Sequence, residues 1–459
     1  MSKLAKALTA AAGNAAGESL YVEDVFSTYL YDGTGAAHTI TNGIDLDGEG
    51  GLTWIKTRNT GTSAWHSLSD TERGAGYILR SDLTNAQNFD TAEFTSFNSD
   101  GFTVGNDAQT NGSGRTYASW SFRKAKKFFD VVTYTGNSTV GRTVAHNLGV
   151  APAWMVIKCT NAARNWCTYH ISLGNGYQII LNNGVTKEST ALWNSTTPTA
   201  TEFTLGNDAD VNGTGNSYVA YLFASDAGGF GDDGSENIIK CGSYTGNGSA
   251  DGPTINCGFE PQWLLIKNTS DGGNWVLMDA MRGMPVGDEA TVLLPNANGD
   301  ESGYANLWGV DLQATGFKVN VSQIQINESG GTMIYIAIRR PMKTPESGTD
   351  VFYVDTVAAS SSSSTGFDPD MWIRGSRDGS GGTNSQLNMA RLIDNKYLAT
   401  TQTSSEIGTA APFGDGPSNQ FTNTVQGGSG VNWFFRRATG FMDVVAYDGN
   451  STIRQQSHN

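Results

Sequence analysis

The chain of 459 residues is too long for one hydrophobic core; it carries a formal net charge of −15, and only 16 % of its residues are charged. It lacks the clustered Lys and Arg that phosphate contacts require, which excludes nucleic acid as the main partner, and no apolar run approaches the ~18 residues of a membrane-spanning helix. Its 57 glycines, with abundant Ser, Thr and Asn, give the composition of many short strands joined by polar turns.

Residues 1–20 differ from everything after them, opening MSKLAKALTAAAGNAAG. Leu4, Ala5, Leu8 and Ala12 fall at helical spacing and alanine is the best helix former, so a short N-terminal helix is predicted. So small-sided a helix buries too little to stand alone, and it is expected to act as an anchor docked on another subunit.

A first unit, residues 21–126, opens with YVEDVFSTYLYDGTG, an alternating β segment ending in a glycine turn. EGGLTWIKTRN supplies its second strand and AWHSLSDTERG its third, and FNSDGFTVGNDAQTNGSGRTYASWSF reads as two strands joined by a long loop. A second unit, residues 127–229, repeats the plan through FFDVVTYTGNST, WMVIKC, NWCTYH and TEFTLGNDADVNGTGNSYVAYLF. The third, residues 238–342, repeats it again through KCGSYTGNGS, CGFEPQWLLIKN, NWVLMDAMRG and TGFKVNVSQIQINESGGTMIYIAI. In a degenerate fourth unit, residues 350–440, a run of serines replaces the first turn. Residues 441–459, FMDVVAYDGNSTIRQQSHN, match the start of the second unit and read as the opening of a fifth. A lone hairpin is barely stable, so the expectation is that the protein continues or that this segment completes a neighbouring subunit's sheet.

A basic residue in the second strand marks each unit: Lys56, Lys158, Lys267 and Arg374 recur about every hundred residues, behind Trp54, Trp154, Trp263 and Trp372. That spacing suits a domain and not a solenoid turn. The four tryptophans lie within apolar strands such as WLLI and are the predicted structural core of the repeat. About eight short strands per unit and no helix predict an all-β chain of tandem β-sandwich domains of about 100 residues, jelly-roll or concanavalin-like in shape.

Candidate chemistry is sparse. Trp193 and Trp308 lie in loops outside the repeated pattern and are the candidate glycan contacts, with Trp65, Trp166 and Trp275 on the third strands as further aromatics. The D-x-x-R-G pattern at Asp70 and Arg73, and again at Asp279 and Arg282, predicts a carboxylate–guanidinium pair holding a turn; the second unit has ISLGNG there. Asp45, Asp47 and Glu49, with Asn106, Asp107, Asn207, Asp208 and Asp210, make calcium the one candidate cofactor, but ordinary turn chemistry accounts for them and no metal site is predicted. The five histidines show no ligand spacing, and no nucleophile elbow or repeated acid pair is present, so the chain is expected not to be an enzyme. Cys159, Cys167, Cys241 and Cys257 have no counterparts across the units and are expected to be buried thiols.

The blocks DVFSTYLYDGTG, TITNGIDLDGEGGLTWIKTRN and DTERG, with the recurring GF.P.W.LIK pattern, resemble a repeated domain of unknown function found in virion and tail-fibre proteins of marine bacteriophages, often cyanophages. The resemblance covers units one to three, unit four more loosely, and the alanine-rich start. It implies a virion structural role with no catalytic residue to carry over. The expectation is a tail fibre or tail-attached appendage assembled in the host cytoplasm. Its N-terminal helix would dock on other tail proteins, its sandwiches would form a beaded rod reaching toward a host surface glycan, and its oligomer would be a homotrimer. A glycan-binding module or adhesin of cellular origin, or a capsid decoration or collar protein, are the alternatives.

Overall fold

The computed structural model describes residues 19–458 apart from 59–60, 62–63, 302–307, 358–361, 377–385, 394–395, 401–402, 404, 409–412, 414–416, 419, 423–429 and 448–457. The predicted anchor residues Leu4, Ala5, Leu8 and Ala12 lie outside the described residues. The chain is all-β, a series of separate antiparallel sheets with a few helical turns.

One plan recurs in every unit. In the first, the opening strand Phe26–Asp32 pairs with the closing strand Thr116–Arg123, which pairs with the tryptophan strand Gly51–Thr57, which pairs with the third strand Ser67–Asp70. A smaller sheet of His38–Thr41, Gly101–Val104 and Ser96–Asn98 covers one face. First strand thus pairs with last, and second with the strand before last, as in a jelly roll; the third strand then stays in the main sheet as a hairpin. The main sheets of units two, three and four keep the same order: Phe129–Thr135, Ser217–Phe223, Trp154–Cys159, Trp166–His170; then Ile239–Thr245, Thr332–Arg339, Pro261–Asn268, Val276–Asp279; then Phe352–Val357, Gly430–Phe435, Met371–Ser376, Leu387–Ala390.

Two elements depart from the sequence reading. Val22–Val25, taken as the start of a strand, is a helical turn. The long loop before each closing strand contains another, Ala108–Asn111, Ala209–Asn212 and Ile324–Asn327. Each ends in a fully buried Asn whose side-chain amide donates back to a carbonyl, Asn111 to Gly105 O, Asn212 to Gly206 O and Asn327 to Val321 O. An opening-strand tyrosine closes the motif: Tyr31, Tyr134 and Tyr244 donate to the carbonyls of Thr110, Val211 and Ile326, each at 2.7 Å. Beside it the backbone passes so close that a Cβ on Gly136 would lie 2.2 Å from Gly213 O. Glycine is therefore required there for space.

The first three units are not beads on a rod. Inside unit one, Tyr31, Ile55 and Tyr117 pack on Ile40, Phe102 and Val104 of the smaller sheet. The opposite face of the main sheet carries Phe26, Trp54, Trp120 and Phe122, and it belongs to a core shared with Phe129, Trp154, Tyr221 and Phe223 of unit two and Trp263, Leu265, Ile336 and Ile338 of unit three. Phe122 meets Phe223 at 5.5 Å and Trp263 at 6.0 Å between ring centroids. Both faces of each main sheet are therefore buried; every residue of Pro261–Asn268 is. That explains the uninterrupted apolar runs.

Candidate functional site

The most elaborate constellation in the molecule is where the three units meet, and it repeats cyclically. A residue at the start of each third strand sends a ring N–H to the unit before it. Trp166 Nε1 donates to Arg80 O at 2.9 Å, Trp275 Nε1 to Ile180 O at 2.9 Å, and His66 Nε2 faces Leu294 O at 3.0 Å. His66 Nδ1 accepts from Trp54 Nε1, which fixes Nε2 as the protonated nitrogen. Unit two thus bonds to one, three to two, and one to three, which closes the ring.

The end of the third strand makes a second cycle. Asp70 accepts from Tyr221 OH of unit two at 2.7 Å, and Asp279 accepts from Trp120 Nε1 of unit one at 3.1 Å. Unit three presents Ile336 at the corresponding place, which has no donor, and there unit two carries His170, whose Nε2 faces the backbone carbonyl of Tyr335 at 3.2 Å. His170 Nδ1 accepts from Ser172 N, so Nε2 donates. This accounts for ISLGNG in unit two: a carboxylate there would find no partner. The D-x-x-R-G pairs form as expected, Arg73 Nε to Asp70 at 2.6 Å and Arg282 Nε to Asp279 at 2.5 Å. They are single-pronged, since the other carboxylate oxygen takes the arginine's own backbone N–H.

The marker lysines complete the seam. Lys158 Nζ donates to Thr84 O of unit one and Lys267 Nζ reaches Gly184 O of unit two at 3.5 Å, while Lys56 Nζ bonds Thr57 O. Burial lowers all three amines from their ordinary value to about 8. Burial also holds His66 well below its usual range and His170 at about 4, so both rings are neutral. It pushes the Tyr221 phenol far up, keeping it a donor.

The four marker tryptophans are all buried, but not at one position. Trp54, Trp154 and Trp263 point away from the sandwich interior into the shared core, so they glue units together instead of filling each one. Trp372 faces the other way, into the fourth sandwich against Phe421 and Phe434. Arg374 pairs with Asn432, whereas Lys56 pairs with Ala118, one step away in the closing strand. The fourth unit's true counterpart of Trp54 is Ile373.

The proposed glycan contacts are corrected. Trp193 is 0 % exposed with its N–H on Tyr177 O, and Trp308 is 2 % exposed in the core of unit three. A ring without a free face cannot stack on a sugar. Trp65, 41 % exposed, is the third-strand aromatic that reaches solvent, with the Arg80 guanidinium 5.7 Å from its ring centre. The calcium candidates are turn and cap residues: Asp107 and Asp208 cap the helical turns, Asp45 accepts from Gly48 N, and Glu49 pairs with Arg123. Among the described residues no group of three or more His, Cys, Asp or Glu could hold a metal ion. The four cysteines are buried and unbridged.

A cleft of about 470 Å³ separates units one, three and four. Its cations are tied: Arg437 forks onto Glu260 with two bonds of 2.7 Å, Arg436 meets Glu23 at 3.2 Å, and Arg391 lies 3.7 Å from Asp370. Its chemistry is that of a latch holding the fourth unit on the ring.

Residues 22–341 match the model of a domain of unknown function, DUF7483. The chain belongs to the DUF7483 family. The matched span takes in all three units of the ring and none of the fourth, so the DUF7483 domain here is the closed ring, not one sandwich. No curated protein and no solved structure matches the chain.

Proposed function

We propose that the chain is a structural protein of a phage particle, a tail fibre or tail-attached appendage that docks by its N-terminal segment and presents its β-domains toward the host surface. The supporting observation is the ring itself. Its ionisable groups at the centre are buried and spent on contacts between units, which is the use expected of a rigid building block. The sequence resemblance to virion and tail-fibre proteins supports a location in the virion. Instead of a beaded rod, the appendage carries a compact three-unit body with a fourth unit latched to its side. Deleting residues 1–17 and measuring incorporation into particles by mass spectrometry tests the reading. Loss of the protein from otherwise complete particles is expected, and undiminished incorporation would sink the anchor.

A second reading, a glycan-binding module, is favoured by one observation, the exposed Trp65 ring flanked by Arg80. A glycan array probed with the intact chain and with Trp65→Ala decides it: signal abolished by the substitution would support this reading, and a blank array would remove it.

A further inference from the structure

In the first three units the outer face of the main sheet is never bare. Its central closing-strand residue, Trp120, Tyr221 or Ile336, and that residue's neighbour on the tryptophan strand, Trp54, Val156 or Leu265, are at most 3 % exposed. Each such face is covered by the two other units, and no two of the three would suffice to close the ring.

Among the described residues the fourth unit has the same face without the cover. Register places Trp433 at the Trp120 position and Ile373 at the Trp54 position, and both are partly exposed. Beside them Val354 is 49 % exposed and Leu398 45 %, whereas Leu79, the counterpart of Leu398 in unit one, is 1 % exposed. The opening, closing and tryptophan strands put no charge on this face: Phe352, Val354, Ile373, Val431, Trp433 and Phe435 are all apolar. Across these three strands the apolar patch is contiguous, with Asn388 standing between it and Leu398, and such a patch on a sheet marks an interface. One polar fitting of the ring is present too, the one at the start of the third strand. Gln386 stands one residue before Leu387, the place that His66, Trp166 and Trp275 occupy in their units, and its side chain is exposed. Ala399 stands where Arg80, Ile180 and Leu294 offer their carbonyls.

We infer that this face is a self-association surface, on which the fourth units of two further copies of the chain close a threefold ring of the kind the first three units form within one chain. The occupant follows from what covers the face elsewhere: in units one to three it takes two other sandwiches of the same plan, and each chain offers one fourth unit. A head-to-tail contact that rotates by a third of a turn closes at three and leaves no open end. In that ring the Gln386 amide of one copy donates to the Ala399 carbonyl of the next. The inference stands on the internal ring alone and does not rest on the virion reading.

Sedimentation velocity and light scattering on the intact 48.8 kDa chain at micromolar concentration test it. The expected species is a trimer. Trp433→Glu and Ile373→Glu, made separately, should give monomers, Gln386→Ala should weaken the trimer by about tenfold, and Val140→Glu, at an exposed site on unit two, should leave it intact. If Trp433→Glu fails to fold, Leu398→Lys carries the same test from the exposed part of the sheet. A monomeric or dimeric wild type overturns the inference, and so does a trimer that survives the face substitutions.

Discussion

Asp279→Ala should cost about 4 kcal/mol of unfolding free energy, a large part of the ~5–15 kcal/mol typical of a folded protein. The carboxylate and the Arg282 side chain are both fully buried, the pair is 2.5 Å apart, and the other carboxylate oxygen holds Arg282 N at 2.9 Å. Removing it leaves a buried guanidinium without that counterion, a loss of about 3–5 kcal/mol where one partner of a buried pair is deleted. The Trp120 N–H also loses its acceptor, a further ~1 kcal/mol at least, partly offset by Glu301, which lies 3.2 Å from Arg282. Because Trp120 belongs to unit one and Asp279 to unit three, the loss should appear in one cooperative transition of the whole ring. Urea unfolding followed by tryptophan fluorescence and by far-UV circular dichroism should give coincident curves, an m-value fitting some 320 residues (22–341) rather than about 100, and a lowered midpoint with m unchanged. Asp279→Asn, which keeps an acceptor oxygen, should lose less. Stepwise unfolding, with the substitution felt only in a subset of the signal, would refute the argument that the units share one core.

Acid should weaken the ring through its histidines. His170 has its folded value lowered to about 4 by burial, so its contribution is complete above the ordinary 6.5 and is lost as pH falls from there toward 4; between pH 7 and 5 that amounts to about 2 kcal/mol, and His170→Gln should flatten this part of the stability profile. The thiols should be silent: burial raises Cys257 to about 12 and Cys241 further, so an aromatic disulfide reagent should label neither in the native state and both in guanidinium, with prompt native labelling contradicting the burial. Gly136→Ala should destabilise by about 2 kcal/mol or more in thermal melts because its Cβ meets Gly213 O at 2.2 Å, while Gly176→Ala, with nothing within 4 Å, should be near neutral.

The repeat, its strands and its tryptophan marker were legible in the sequence because each unit reuses the same turn chemistry and the same aromatic strand. What the strands face was not. A half-buried strand alternates and thereby reports its inner face, but the WLLI run of this strand is apolar without a break and every residue of Pro261–Asn268 is buried, so nothing in it says whether Trp263 lies inside the sandwich or outside. For the same reason the basic residue misaligned the fourth unit by one step, and a one-residue shift turns every side chain to the other face. The correction was in the chain: ASWSFRK beside VNWFFRR sets Trp433 against Trp120 and fixes the register. The tyrosine and asparagine that hold each helical turn were legible as well, in YDG, YTG and YTG and in GNDAQTN beside GNDADVN. The absence of D-x-x-R from unit two could not be read from that unit alone, because its cause, Ile336, lies in another.

That last dependence says how the ring came to be specific. Three identical sandwiches would form a symmetric ring and would equally well form one from three separate chains. Here each junction is made differently: Trp120 with Asp279, Tyr221 with Asp70, and His170 with a backbone carbonyl beside Ile336. In the other cyclic order Trp120 would face His170 and strand a buried N–H, and Ile336 would face Asp70 and leave that carboxylate short of a donor, each at a cost of about 1–3 kcal/mol. The differences between the copies therefore order the units within one chain. The fourth unit, with Ala390 at the aspartate position and Trp433 opposite, carries neither an acceptor nor a histidine for such discrimination. Its face distinguishes no unlike neighbour, which is what a surface that meets only copies of itself requires.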